Sequence, residues 1–282
     1  MAEILKGAPA AAALTEELKA RAEALKEKGT VPTLAILRVG ERPDDLSYER
    51  GAMKRCEKAG IAVQRFLLPE TVTEEELLKT IDAINADPAI HGCLMFRPLP
   101  DKAMERAACA RLLPEKDVDC MTEGSLGGVF TGSGTGYPPC TAEACMELLR
   151  YYGIDLKGKN VTVIGRSLVI GKPVSMMLQF ANATVTMCHT RTRDMAAVCR
   201  NAEILVCAAG HAGLVTKDFI RPGQIVIDVG INVDENGNLC GDVAFDEAAE
   251  IAGMITPVPG GVGSVTTAVL AKHVIEAAEK TR

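Results

Sequence analysis

The sequence has 282 residues, of which 48% are hydrophobic and 24% are charged, as expected for a globular protein with room for two domains. Its net charge of −6 and its aromatic content of 4%, with no Trp, argue against nucleic acid as a partner, because they provide neither a positive field for phosphates nor rings for stacking bases. No apolar run approaches the roughly 18 residues of a membrane span, so we expect no membrane partner.

Strand and helix patterns alternate through the first half of the chain. The first helix is predicted where Leu and Ala recur at helical spacing before Gly29. The predicted helices cover residues 14–28, 44–59, 74–86 and 102–113. The predicted strands are VPTLAILRVG, IAVQRFLLP and HGCLMFRPLP. This alternation predicts a parallel sheet with helices on both faces.

A second series of strands and helices follows a glycine-rich stretch. Residues 124–136 show little periodicity and predict a loop or a seam between domains. A helix is predicted over 141–152, and a last helix over 265–280. Between them lie short strands rich in β-branched residues, NVTVIG, ATVTMCH, AEILVCAAG and QIVIDVG. The predicted fold class is therefore α/β, with two units joined at the seam.

The ten cysteines do not form a recognisable framework. Cys93 and Cys207 lie inside apolar strand patterns, and no CxxC pair occurs. There is also no signal peptide pattern. We therefore expect reduced thiols in the cytosol, with neither a zinc site nor disulfides.

A strand-to-helix turn in the second half has the features of a phosphate-binding loop. Gly165 and Gly171 flank the turn, and Pro173 stands where a first-turn proline is expected. Glycines let the backbone approach a pyrophosphate, and the helix start supplies free N–H groups and a positive potential. The spacing is G-x5-G instead of G-x-G-x-x-G, so a simple tight turn is the alternative from this motif alone.

The strand after this turn indicates which dinucleotide would bind. It ends in HTRT, residues 189–192, where a site for NAD would carry Asp or Glu. Arg166 directly follows the first glycine, and its guanidinium suits the 2′-phosphate of NADP. Arg191 and Arg193 could instead be solvated loop charges, so Arg166 is the preferred residue for binding the 2′-phosphate. The pattern does not exclude NAD as the cofactor.

The second half contains VIGRSLVIGKPVSMML, ATVTMCHTRT, IVIDVGIN and ITPVPGGVG, and the first half contains VG-x7-Y, KDVDC and PPCT. Together these strings resemble the bifunctional methylenetetrahydrofolate dehydrogenase/cyclohydrolase family over nearly the whole chain. The resemblance implies two α/β domains with a cleft between them: a folate-binding catalytic domain of residues 1–138 plus 265–282, and a Rossmann-type parallel-sheet domain of residues 139–264. It also implies NADP as the cofactor, no metal, a cytoplasmic enzyme and a homodimer formed through the Rossmann domain.

The resemblance further implies roles for individual residues. Tyr48 would flank the pterin and Asp119, in KDVD, would hydrogen-bond it, so both are expected to bind substrate and serve catalysis. The loop Pro259-Gly260-Gly261 would close over the substrate. The residues expected to bind NADP are Gly165, Arg166, Ser167, Gly171, His189, Thr190 and Ile231. Without the resemblance, Tyr48 reads as a packing residue, Asp119 as a turn residue and the glycine loop as a plain turn.

The sequence departs from the family at the second, hydrolytic activity. That activity converts the methenyl product to formyltetrahydrofolate. It uses a lysine four residues after the tyrosine, where this chain has Ala52, and a glutamine in Q-L-P, where this chain has Phe96. Lys54 would lie about 240° around a helix from Tyr48 unless the helix bends, and Arg97 is permanently protonated, so neither replaces a proton shuttle well. We therefore expect oxidation of methylenetetrahydrofolate, driven mainly by orientation of the reactants, to be retained and hydrolysis to be weak or lost.

Three alternatives stay open. The first is a fully bifunctional enzyme in which Arg97 or Lys54 substitutes for the missing lysine. The second is a protein that binds folate and NADP without turning them over. The third is an unrelated Rossmann dehydrogenase acting on an amino or hydroxy acid, against which VPGGVG and KDVD argue.

Overall fold

The computed structural model describes residues 1–281 and divides into two compact units. The six-stranded unit consists of Met1–Ala12 and Thr141–Thr266, and the three-stranded unit of Ala13–Cys140 and Thr267–Arg282. Arg282, the last residue of the predicted catalytic domain, lies outside the described residues.

Helices and strands alternate along both units, which confirms the predicted fold class. The strands are β1 (Glu3–Ile4), β2 (Thr33–Val39), β3 (Ala62–Leu68), β4 (Gly92–Met95), β5 (Asn160–Ile164), β6 (Thr184–Cys188), β7 (Ile204–Cys207), β8 (Ile225–Asp228), β9 (Asn232–Val233), β10 (Leu239–Cys240) and β11 (Met254–Ile255). The α-helices are α1 (Gly7–Glu27), α2 (Pro43–Ala59), α3 (Glu74–Ala86), α4 (Lys102–Arg111), α5 (Glu123–Thr131), α6 (Cys140–Tyr151), α7 (Gly171–Phe180), α8 (Met195–Asn201), α9 (Phe245–Ile251) and α10 (Thr266–Lys280).

The three-stranded unit is built on a parallel sheet in the order β3-β2-β4. Strand β2 is central, and on one of its faces Leu37 packs in an apolar cluster with Leu77 and Ile81 of α3. Helix α3 begins with a capping box in which Thr73 and Glu76 bond each other's backbone N–H groups. Because all strands run in the same direction, the residues that follow β2 and β4 meet at one edge of the sheet.

The six-stranded unit has the order β1-β11-β8-β7-β5-β6, with all neighbours parallel. The chain passes from β5 to β6 on one side and then returns to β7 on the other side of β5. Such a reversal of strand order opens a crevice at the carboxyl ends of the two strands, where α/β proteins bind ligands. A separate antiparallel hairpin pairs Val233 of β9 with Leu239 of β10.

The observed division differs from the predicted one at the amino terminus. The sequence analysis assigned residues 1–138 to one domain, whereas Met1–Ala12 belongs to the six-stranded unit. The reason is pairing of two short strands, because Glu3 and Ile4 lie beside Met254 and Ile255 at the edge of the sheet. Strands of two residues carry too little periodicity to be detected in the sequence.

The prediction of a loop over residues 124–136 is wrong for its first part, which forms α5. Thr122 caps this helix by accepting the Ser125 N–H at 3.0 Å. Gly128 is required by packing, since a Cβ there would lie 1.9 Å from the carbonyl oxygen of Thr135. Tertiary packing therefore overrides the low helix propensity of glycine in this segment.

All ten cysteines are free thiols. Within residues 1–281, no helix combines the length and apolar character that crossing a bilayer requires. The same part of the chain contains no group of three or more His, Cys, Asp or Glu side chains placed to hold a metal ion.

Candidate active site

The turn between β5 and α7 needs glycine at both predicted positions. Gly165 has a φ of +123°, and a Cβ there would lie 2.1 Å from the carbonyl oxygen of Ala208, which follows β7. A Cβ on Gly171 would lie 2.3 Å from the carbonyl oxygen of Gly165. The turn therefore packs directly into the crevice between β5 and β7, with no side chain blocking the backbone.

The Ser167 side chain stabilises this turn by accepting backbone hydrogen bonds. Its hydroxyl accepts the N–H of Ile170 at 3.1 Å and that of Gly171 at 3.5 Å. The hydroxyl thereby caps the start of α7, whose preceding residue Ile170 offers no side-chain cap. Arg166 lies between Gly165 and Ser167, so its position is fixed by the same turn.

A cavity of about 720 Å³ lies beside this turn in the six-stranded unit. It brings together five of the residues predicted to bind NADP, namely Gly165, Arg166, Ser167, His189 and Thr190. Its other walls come from Ile164, Met195, Ala208, Ala209, His211, Ala212 and Leu214. The mixture of apolar walls, a guanidinium and hydroxyl groups fits the adenosine half of a phosphorylated dinucleotide.

The loop after β6 is fixed by local hydrogen bonds. The His189 N–H donates to Thr192 Oγ1 at 2.9 Å, and His189 Nδ1 accepts the N–H of Arg191 at 3.1 Å. Arg191 and Arg193 are exposed and do not line the cavity. Among the lining residues, all within the described part of the chain, none carries a carboxylate that would repel a 2′-phosphate.

A second cavity, of about 280 Å³, lies elsewhere in the six-stranded unit. It joins Ile231 to the loop Pro259-Gly260-Gly261, which the sequence analysis assigned separately to cofactor and substrate. The loop is anchored because Gly7, at the start of α1, donates its N–H to the Gly260 carbonyl at 2.8 Å. Gly171 is the one predicted cofactor residue that lines neither cavity, since it supports Gly165 from behind.

Two buried carboxylates between these cavities were missed by the sequence analysis. Asp228 ends β8, and burial raises its pKa to about 6 although its oxygens accept the N–H groups of Gly230, Asp242 and Val243 at 3.0 Å each. Asp242 is fully buried. The signal that could have revealed them is an Asp after a buried strand and a second Asp in the glycine-containing string CGDVAF.

In the three-stranded unit, Tyr48 and Phe96 contact each other. Tyr48 lies on α2, and 37% of it is exposed. Phe96, which directly follows β4, is 8% exposed and meets the tyrosine ring edge-on, with centroids 6.0 Å apart. The position at which the resemblance implies a glutamine is thus filled by an apolar ring packed on the predicted substrate residue.

One face of α2, the helix that carries Tyr48, is buried against the rest of the unit. The buried positions of this helix recur at intervals of three and four residues: Asp45, Glu49, Ala52, Cys56 and Ala59. Ala52 is fully buried, whereas Lys54 is exposed. The helix continues without interruption past Gly51, so Lys54 lies outside the face that holds Ala52.

A buried ion pair, also missed by the sequence analysis, stands on the same face of α2. Glu49 Oε2 accepts Arg38 Nε at 2.8 Å, and both side chains are 5% exposed. Arg38 also donates to the carbonyl oxygen of Gly40, directly after β2. This pair ties the helix that carries Tyr48 to the end of the central strand.

Asp119 lies in the turn between α4 and α5. Its Oδ1 accepts the Cys140 N–H at 3.2 Å, and burial raises its pKa, while the positive charge of the exposed Arg97 works in the opposite direction. The turn is held by Asp117, whose carboxylate accepts the N–H groups of Met121 and Thr122 at 2.9 and 2.8 Å. Arg97 therefore lies near enough to Asp119 to influence its charge.

Comparison with known proteins identifies the family. The family model described as "Tetrahydrofolate dehydrogenase/cyclohydrolase, NAD(P)-binding domain" matches residues 139–282, and that described as "Tetrahydrofolate dehydrogenase/cyclohydrolase, catalytic domain" matches residues 5–119. The chain belongs to the tetrahydrofolate dehydrogenase/cyclohydrolase family. The six-stranded unit is accordingly its Rossmann-like, NADP-binding part, and the chain is an NADP-dependent methylenetetrahydrofolate dehydrogenase.

Relatives of this family match the chain along its length. The "Bifunctional protein FolD" of Carboxydothermus hydrogenoformans is 54% identical over 281 residues, which cover 99% of this chain and 98% of that protein. The crystal structure of the bifunctional FolD of Campylobacter jejuni has a TM-score of 0.94, with 38% identity and 99% of both chains covered. That of Trypanosoma brucei FolD, complexed with NADP cofactor and an inhibitor, has a TM-score of 0.90 at 37% identity, covering 99% of this chain and 98% of the other.

Proposed function

We propose that the chain oxidises methylenetetrahydrofolate with NADP and releases the methenyl product largely unhydrolysed. The observation that carries the second half of this proposal is the fully buried side chain of Ala52, which lies one helical turn after Tyr48 on α2. The Carboxydothermus hydrogenoformans relative is named as bifunctional. The proposed loss of hydrolysis is therefore argued from the side chains of this chain, since its relatives are named as having both activities.

For the oxidation, the residues of this chain act by holding the reactants. Arg166, Ser167, His189 and Thr190 would bind the adenosine half of NADP, which supplies the hydride acceptor when bound. Tyr48 would pack against the pterin, with its orientation set by the edge contact to Phe96. Positioning of this kind supplies about 7–11 kcal/mol of a barrier when the bound geometry is close to reactive.

Asp119 would fix the pterin by accepting its N–H groups. This role requires the ionised carboxylate, because a protonated acid loses an acceptor. Burial works against ionisation and raises the pKa of Asp119, whereas the hydrogen bonds from Cys140 and, to a smaller extent, the charge of Arg97 favour the ionised form. The balance supports a role for Arg97 in keeping Asp119 charged in a partly apolar turn.

For the hydrolysis, the side chains at positions 52 and 96 offer no group that can accept or donate a proton. The methyl group of Ala52 and the ring of Phe96 stand where the family carries lysine and glutamine. Lys54 does not compensate, because it is exposed outside the buried face of α2. Positioned acids and bases typically contribute about 10²–10⁴ in rate, so their loss supports weak or absent hydrolysis.

A fully bifunctional enzyme is the second candidate, and Arg97 is the observation in its favour. The charge of Arg97 lowers the pKa of Asp119, which indicates that the guanidinium is close to a residue predicted to bind substrate. A guanidinium stays protonated at all relevant pH values, so it can stabilise a developing negative charge but cannot shuttle protons.

One experiment separates these candidates. Both half-reactions are measured on one preparation: NADP-dependent formation of the methenyl compound, and conversion of supplied methenyl compound to formyltetrahydrofolate above the uncatalysed rate. We expect a clear first rate and a second rate near the background. Comparable rates would overturn the proposed loss of hydrolysis, and failure of both would indicate a protein that only binds its ligands.

We also propose the remaining assignments that the sequence suggested. Folate would bind at Tyr48 and Asp119, and Pro259-Gly260-Gly261 would be a further substrate-binding loop. The chain would form a homodimer through its Rossmann domain, which the exposed apolar side chains of Val233 and Leu239 on the hairpin support. A cytoplasmic location is supported by the ten free thiols.

A further inference from the structure

Asp242 connects the walls of the two cavities in the six-stranded unit. Its Oδ2 accepts the N–H groups of Ala209 and Gly210 at 2.6 and 3.0 Å, and its Oδ1 accepts the N–H of His211 at 2.9 Å. Ala209 and His211 line the larger cavity. One carboxylate therefore holds three successive backbone groups of that wall.

The same carboxylate also holds the smaller cavity. Asp242 Oδ1 accepts the side-chain amide of Asn232 at 2.9 Å. Asn232 directly follows Ile231, which lines the smaller cavity. A shift of the Ile231 segment therefore changes the position of an oxygen that also fixes His211.

Asp242 responds to such a shift only together with Asp228, because the two residues are linked to each other. Asp228, itself a lining residue of the smaller cavity, accepts the N–H of Asp242 and that of Gly230 with the same oxygen. A Cβ on Gly241 would lie 1.8 Å from Asp228 Oδ2, and one on Gly230 would lie 2.3 Å from Asp242 Oδ1. Close packing at these two glycines thus links the two carboxylates to each other.

The charge of this pair makes its hydrogen bonds essential. Asp228 is 2% exposed and Asp242 is fully buried, and no Lys or Arg in the described part of the chain forms an ion pair with either. A buried carboxylate without a cation depends on its N–H donors for stabilisation. The walls of both cavities are therefore held at hydrogen-bonding distance from Asp242.

We propose that the hydrogen bond between Asp242 and Asn232 couples the two cavities, so that each half of NADP binds more tightly when the other half is present. Asp242 acts in this as a positioning residue, since it contacts the walls and lines neither cavity. The coupling arises because a ligand that orders one wall also orders the shared acceptor, and the second ligand then meets a wall that is already ordered.

Binding of two fragments to the full chain tests the proposal by calorimetry. Adenosine 2′,5′-bisphosphate probes the larger cavity, and nicotinamide mononucleotide probes the smaller one. We expect the bisphosphate to bind about fivefold more tightly in excess mononucleotide, a typical size for coupling between sites. Both fragments carry negative charge, so repulsion alone predicts the opposite sign. Independent binding in the unmodified protein would overturn the proposal.

Asn232→Ala removes the connecting bond, and Asn238→Ala is its matched control. Asn238 lies exposed in the same hairpin, and its side chain contacts only Asp234 within residues 1–281. We expect Asn232→Ala to abolish the coupling while leaving the affinity for the bisphosphate alone unchanged, and Asn238→Ala to retain it. Coupling that persists in Asn232→Ala, or bisphosphate binding that weakens without mononucleotide, contradicts the proposal.

A second measurement avoids the variants and any loss of fold that they cause. Hydrogen exchange of the amides of 209–211 is followed in the unmodified protein as nicotinamide mononucleotide is added alone. We expect slower exchange, because these amides bond to Asp242. Unchanged exchange at saturation contradicts the coupling. Neither measurement uses folate, so the result is independent of the proposed loss of hydrolysis.

Discussion

The ring of Phe96 meets the ring of Tyr48 edge-on, with centroids 6.0 Å apart and an interplanar angle of 81°. This contact is made at the carboxyl end of β4, where the predicted pterin-binding tyrosine and the former glutamine position come together. Edge-to-face aromatic pairs contribute about 0.5–1.5 kcal/mol beyond the area that they bury. The ring at position 96 therefore both removes a polar group and orients Tyr48.

We expect the double substitution Ala52→Lys with Phe96→Gln to raise methenyl hydrolysis by about tenfold or more, because it introduces a proton-transferring group beside Tyr48. The lysine would replace a fully buried alanine, so overpacking should lower the free energy of unfolding by about 1–3 kcal/mol. The measurement compares both half-reactions and the urea unfolding midpoint with those of the parent.

Two control variants separate the effect of the lysine amine at position 52 from the effects of side-chain size and of Lys54. Ala52→Met with Phe96→Gln has similar bulk at position 52 without an ionisable group, and it should show no gain in hydrolysis. Lys54→Ala should leave both half-reactions unchanged, because Lys54 is exposed outside the buried face of α2. Loss of residual hydrolysis in Lys54→Ala would instead support the bifunctional candidate.

The affinity for methylenetetrahydrofolate should increase with pH. Burial raises the pKa of Asp119 above its ordinary value of 3.8, so the carboxylate ionises at a higher pH than usual. The ionised form accepts pterin N–H groups, and KM for the folate should fall as pH rises through that pKa. Asp119→Asn should raise KM and remove this dependence.

Arg97→Leu tests the charge that opposes burial. Without the guanidinium, the pKa of Asp119 rises further, and the pH at which KM falls should move upward. Arg106→Leu, which removes a charge that acts on Asp101, serves as the control. A folate KM that has the same pH profile in Arg97→Leu as in the parent would show that this charge does not act on binding.

Arg166→Gln should weaken NADP more than NAD. The guanidinium lines the larger cavity and would bond the 2′-phosphate, and hydrogen bonds to charged groups are worth about 1.5–3 kcal/mol. KM for NADP should therefore rise about 10- to 100-fold, with little change for NAD. Arg191→Gln, at an exposed position outside the cavity, should change neither value.

Glu49→Ala should destabilise the protein strongly because it leaves the buried guanidinium of Arg38 with only the exposed Glu41, 3.9 Å away, as an acidic partner. The loss of one partner of a buried pair costs about 3–5 kcal/mol, whereas Arg38→Met with Glu49→Leu should be neutral or stabilising. The exposed pair of Arg111 and Asp82 provides the comparison, and Arg111→Ala should cost no more than about 1 kcal/mol. Urea unfolding of the four proteins measures these differences.

Periodicity predicted the elements with a clear amphipathic pattern. The helix predicted over 74–86 occurs at Glu74–Ala86, because its capping box and its spacing of apolar residues agree. The elements that were missed or shortened depend on distant partners. Helix α1 begins at Gly7 instead of residue 14, where its first turn packs against the loop at Gly260 and Gly261.

The candidate site could be predicted where a turn or a motif carries the chemistry, as at Gly165 and Ser167. It could not be predicted where function depends on a buried pair of like charges. Asp228 and Asp242 are 14 residues apart, and only the folded chain brings the N–H of Asp242 to Asp228 Oδ1. The same holds for Phe96, whose contact with Tyr48 joins the end of β4 to helix α2.

Strand β1 pairs with β11, which is made about 250 residues later. At about 5–20 residues per second, a ribosome releases Glu3–Ile4 on the order of 10 to 50 s before Met254–Ile255. During that interval Leu5, which ends fully buried, has no sheet to cover it. The nucleotide-binding sheet therefore gains this edge strand only after β11 has been synthesised, and Leu5 stays without its final partner strand until then.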